Sequence, residues 1–111
     1  MKLPTYETDC YELDDGEALN REYPDSFWIP DNAVRESLAP DDFVKLIFRM
    51  EKTAGADALS VERMWVRVTK KHHAFYEGVL DNDPTGSDCV RCGQIVVFQA
   101  RHVIGIYGKD D

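Results

Sequence analysis

The eight residues Phe43-Val-Lys-Leu-Ile-Phe-Arg-Met50 constrain the fold of this chain more than any other stretch. Val44, Leu46, Phe48 and Met50 fall on one side of an extended backbone, and Phe43, Lys45, Ile47 and Arg49 on the other. That period of two predicts a strand with one buried face. Val61 to Val68 repeats the pattern, with Met64, Val66 and Val68 opposite Arg63, Trp65 and Arg67. A polar turn over Thr69 to His72 then leads to a third strand, His73 to Asp81, and a turn-rich segment to a fourth, Gln94 to Ala100. A fifth strand or a helical turn is expected over His102 to Tyr107. Asp31 or Asn32 can cap a brief helix ending at Leu38, before Pro40. Short strands in succession without a βαβ rhythm predict an α+β domain. It would be a small, strongly bent antiparallel sheet or partly open barrel with one or two short helices.

Two segments share one pattern. Leu38-Ala-Pro-Asp-Asp-Phe and Val90-Arg-Cys-Gly-Gln-Ile each place an apolar residue, two spacers and a turn pair ahead of a strand. We read this as an apolar plug at a barrel end, followed by a tight turn in which Gly93 adopts positive φ.

Charge divides the chain differently. Residues 1–25 carry eight acids against Lys2 and Arg21, whereas the whole 111-residue chain has a net charge of −8. Residues 1–25 are therefore expected to form an acidic arm and residues 26–111 a single β-rich domain. The acidic balance makes nucleic acid an unlikely partner, since phosphate neutralisation needs a surplus of Lys and Arg. No apolar run approaches a membrane span, and the first fifteen residues resemble neither an export signal nor a transit peptide. With three cysteines, an odd number, a reducing cytoplasm is expected rather than a disulfide scaffold.

The segments Ser26-Phe-Trp-Ile-Pro30, Asp41 to Phe48, Glu62 to Val68, Tyr76 to Pro84, Cys92 to Phe98 and His102 to Tyr107 occur in that order. In this the chain resembles the small bacterial YegJ-like domains of unknown function, some of which sit near toxin and immunity genes. Gly93-Gln94 stands where those domains usually carry Gly-Asp. The resemblance implies no catalytic residues.

Chemistry-bearing motifs are few. Cys89-Val-Arg-Cys92 has the spacing of a zinc or redox pair. A zinc site would also need Cys10 and one of His72, His73 or His102, because no second Cys-x-x-Cys exists. A redox site would need the first cysteine at a helix start, and here a strand follows. Two thiols beside a turn is the simpler reading. No nucleophile elbow, phosphate loop, metalloprotease helix or dinucleotide turn occurs, so neither catalysis nor a cofactor is expected. Pairing of the first two long strands would gather Lys45, Arg49, Arg63 and Arg67 around Trp65 as a recognition face for protein or peptide. The expectation is thus a cytosolic, non-catalytic binding module. An immunity-type inhibitor meeting a basic toxin through its acidic surface is the alternative, and a zinc or thiol protein using Cys89 and Cys92 the third.

Overall fold

A computed structural model describes residues 1–108. Six strands form one sheet: β1 (Tyr11–Leu13), β2 (Phe43–Glu51), β3 (Leu59–His72), β4 (Phe75–Leu80), β5 (Ile95–Phe98) and β6 (Gly105–Ile106). They pair antiparallel in the order β1-β2-β3-β4-β5, with β6 beside β1 along the outer edge of β2. The sheet curls into a half-barrel and is accompanied by three short helices: α1 (Tyr6–Asp9), α2 (Gly16–Glu22) and α3 (Asn32–Arg35). Among the described residues, no helix is long and apolar enough to cross a membrane.

The alternation in β2 and β3 decides which face turns inward. Val44, Leu46, Phe48, Met50, Met64, Val66 and Val68 are all buried, joined by Tyr76, Leu80, Val96 and Phe98 from β4 and β5. Tyr11, Leu38, Val90, Val103 and Ile106 fill the remaining concave side. Gly78 lets the sheet bend sharply: a Cβ there would lie 2.6 Å from both the Arg67 carbonyl and Val66 Cγ1. Beside it Thr69 forms a bulge between Val68 and Lys70, donating its hydroxyl to the Glu77 carbonyl at 2.9 Å.

Four expectations are revised. Thr69–His72 is not a turn: β3 continues through it, and the chain reverses at His73-Ala74, with His73 at φ 57°. The helix from Asn32 ends at Arg35 rather than Leu38. The Tyr76 hydroxyl, buried in the core, donates to the Arg35 carbonyl and accepts from the Leu38 N–H, and so draws the chain out of its helical path. Residues 1–25, set apart by charge, contribute α1, β1 and α2 to the same sheet and core. Their acids are used locally and across the fold: Asp14 binds Arg49, Asp15 binds Arg101 and caps α2, and Glu17 binds Arg35. The expectation of two free thiols beside a turn is revised as well, since Cys89 is disulfide-bonded to Cys10 and Cys92 alone is free. Cys10 sits beside the end of β2 because its carbonyl accepts from Glu51 N–H, and the 87–89 loop reaches the same place through Asp88 N–H to Lys52 O. Sequence spacing makes Cys89 and Cys92 neighbours, whereas pairing of β1 with β2 selects Cys10.

Candidate functional site: the convex face of the sheet

Side chains alternate with the core residues to form four cross-strand rows on the convex face. Register places Arg49 opposite Val61, Ile47 opposite Arg63, and Lys45 opposite Trp65. The fourth row crosses the sheet as Phe43, Arg67, Val79 and Ile95. All five residues expected to make a recognition face, Lys45, Arg49, Arg63, Trp65 and Arg67, thus lie on one surface. Their electrostatic roles separate them. Arg49 is held by Asp14 through two hydrogen bonds, Nε to Oδ1 at 3.1 Å and Nη2 to Oδ2 at 2.9 Å. Arg67 reaches Asp41 at 3.4 Å. Lys45 and Arg63 form no ion pair among the described residues. Instead, Lys45 Nζ stands 4.6 Å from the Trp65 ring centre, and the Arg63 guanidinium 5.5 Å from that of Phe27.

Two hollows flank Lys45. One, of about 250 Å³, is lined by Phe43, Trp65, Asp81 and Tyr107. Tyr107 meets Trp65 edge to face with ring centres 6.1 Å apart, and its N–H bonds the Phe43 carbonyl, which continues the path of β6. The second, of about 290 Å³, is bounded by Phe27, Trp28, Lys45 and Arg63. Trp28, Ile95 and Tyr107 are 59%, 61% and 73% exposed, so a partner could cover substantial apolar area here.

Sequence reasoning missed the aromatic contributors. Phe27 and Trp28 look like the start of the ordered body, Tyr107 like the end of a strand, and the run Ile95-Val-Val-Phe98 hides that Ile95 faces outward. The signal available was the period of two in Gln94 to Phe98, which separates Ile95 and Val97 from Val96 and Phe98.

The residues considered as metal ligands do not converge. Cys10 and Cys89 are bonded to each other, and Cys92 lies in the exposed turn before β5. Among the described residues, no three His, Cys, Asp or Glu side chains are grouped to hold a metal ion. His72 and His73 pack edge to face at the β3–β4 turn. His102 is buried, and its Nδ1 accepts the Gln99 N–H at 2.9 Å. Burial, reinforced by nearby Arg101, pushes its pKa from 6.5 down to about 4. The folded state therefore prefers the neutral ring. As pH falls below 6.5 the unfolded chain takes up the proton first, so stability declines through the interval from 6.5 to 4. The decline should reach about 3 kcal/mol. Urea unfolding at pH 7 and pH 4.5 should show most of this loss, about 2 kcal/mol, in the native protein and a smaller one in His102→Gln; equal losses would assign the effect to carboxylates.

No protein-family model, curated protein or solved structure matches the chain.

Proposed function

We propose that this protein is a non-catalytic binding module whose convex face takes a carboxylate-bearing segment of a partner protein. The observation that carries this reading is the state of Lys45 and Arg63. Arg35, Arg49, Arg67, Lys70 and Arg101 each have a carboxylate partner, yet Lys45 and Arg63 rest against aromatic rings on one face of a chain with net charge −8. A cation held over a ring keeps its donors available, and the Arg63 fork suits a carboxylate geometrically. The hollow beside Trp65 and Tyr107 offers an apolar or aromatic side chain a place to dock. Trp, Tyr and Arg are also the residues that dominate binding energy at protein interfaces.

The immunity reading depends on the acidic surface instead. Asp14, Asp15 and Glu17 bind the first 25 residues to their own domain, so fewer of those acids face outward to meet a toxin.

A random copolymer of glutamate and tyrosine serves as probe. In two-dimensional amide NMR, titration should give saturable shifts at Lys45, Arg63, Trp65 and Tyr107, weakening with salt. Combined Lys45→Glu and Arg63→Glu should reduce affinity at least ~10-fold without altering the thermal transition. Shifts that avoid this face, or affinity unchanged by the double variant, would exclude the reading.

A further inference from the structure

The outer edge of β5 offers a second surface, independent of Lys45 and Arg63. Among the described residues β5 pairs only with β4, in an unbroken register from Tyr76 opposite Phe98 to Val79 opposite Ile95. Leu80 N–H bonds the Gln94 carbonyl, which makes Val79 and Ile95 a non-hydrogen-bonded pair. Val96 and Phe98 consequently direct their backbone groups toward β4. Ile95 and Val97 direct theirs away from the sheet, and among the described residues no backbone or side-chain group is bonded to them there.

An unpaired edge usually carries a lysine, a proline, a bulge or an inward charge that discourages another strand. Gly93-Gln-Ile-Val-Val-Phe-Gln99 contains no charge and no proline, and β5 has no bulge. Its most exposed residue is Ile95, the end of the cross-strand row that begins at Phe43.

We propose that this edge binds a second copy of the chain, β5 against β5, antiparallel about a two-fold axis at Val96. In that register Ile95 lies opposite Val97 of the other copy, and the reverse pair follows by symmetry. Each pair exchanges both of its outward N–H and C=O groups, giving about four backbone hydrogen bonds. The exposed Ile95 side chain packs on Val97 of the second copy, and the symmetric contact covers the other Ile95. A second copy fits this edge in its own register: it brings an uncharged, proline-free strand of the same length and sets Ile95 against Val97 on both sides of the axis. The joined sheets would display two convex faces and so allow bivalent capture.

A four-residue edge predicts a weak dimer, with Kd on the order of 100 µM. Sedimentation velocity from ~10 µM to ~1 mM should show the monomer converting to dimer. Amide shifts that follow concentration should centre on Ile95 and Val97. Val97→Pro removes only an outward N–H and should leave the protein monomeric and folded. Ile95→Lys, at an exposed position, should do the same and reads the same edge if the proline variant does not fold. Lys45→Glu with Arg63→Glu should leave association intact, which separates this surface from the proposed recognition face. A native protein still monomeric at ~1 mM, or a dimer that persists in the folded edge variants, would overturn the proposal.

Discussion

Replacing Cys10 by Ser, or reducing the protein, is expected to lower the unfolding free energy by about 4 kcal/mol. Cys10 and Cys89 are 79 positions apart, and their Cα atoms stand 6.4 Å from each other. In the unfolded chain the bond closes a loop spanning most of the molecule, so its loss restores a large conformational freedom to that state. Domains of this size are typically stable by about 5–15 kcal/mol, and such a loss would consume much of that margin. Guanidinium unfolding with and without reductant should show the shift. Cys92→Ser should leave it unchanged, because Cys92 lies outside the bond. Thiol titration of the unreduced protein should find one reactive group per chain. Three reactive groups, or a midpoint insensitive to reductant, would remove the bond from the account. The cytosol keeps most thiols reduced, and oxidising compartments keep them bonded. The expectation of a cytoplasmic protein therefore has a direct test in the oxidation state of Cys10 as isolated from cells.

Arg35→Ala should cost about 3 kcal/mol, the next largest effect. Arg35 is 4% exposed and joins three elements that share no strand. Its Nε donates to the Pro30 carbonyl at 2.8 Å, while Nη1 reaches the Ala100 carbonyl at 2.9 Å and Glu17 Oε2 at 2.6 Å. Truncation leaves two carbonyls without their donor. Glu17 is about one-third exposed and can regain water, which keeps the cost at the lower end for a buried ion pair. Arg35→Lys retains the charge but lacks the planar fork that reaches divergent acceptors, so it should recover only part of the loss. Urea midpoints for the two variants check both statements; a loss below ~1 kcal/mol in Arg35→Ala would mean these contacts contribute little.

The paired motifs after Leu38 and Val90 show how local rules can be read from sequence. Both apolar residues are buried, and the turn positions Asp41 and Gly93 have φ of 76° and 93°. Asp41 N–H bonds the Val68 carbonyl, and Gly93 N–H bonds that of Leu80. The side chains of Asp42 and Gln94 each accept the N–H three residues earlier. Apolar spacing and turn chemistry act over a few residues, so the pattern was visible. The recognition face was legible only in part. Alternation put Lys45, Arg49, Arg63, Trp65 and Arg67 on one side of two strands. It did not reveal that Asp14 and Asp41 occupy Arg49 and Arg67, nor that Phe27 and Tyr107 come from distant segments to complete the site.

The sequence by itself determined β2 and β3 and their buried faces, because a period of two in apolar residues has one low-energy solution once a face must leave water. Tertiary structure decided the meaning of the charges and thiols. Net charge set the first 25 residues apart as an acidic arm, and the buried Tyr11 and ion pairs to Arg35, Arg49 and Arg101 show how that segment is built into the sheet. Spacing drew attention to Cys89 and Cys92 as thiols beside a turn, whereas the fold bonds Cys89 to Cys10. Ion pairs and disulfides depend on distance in space, and for residues 18 to 86 positions apart only the folded chain sets that distance.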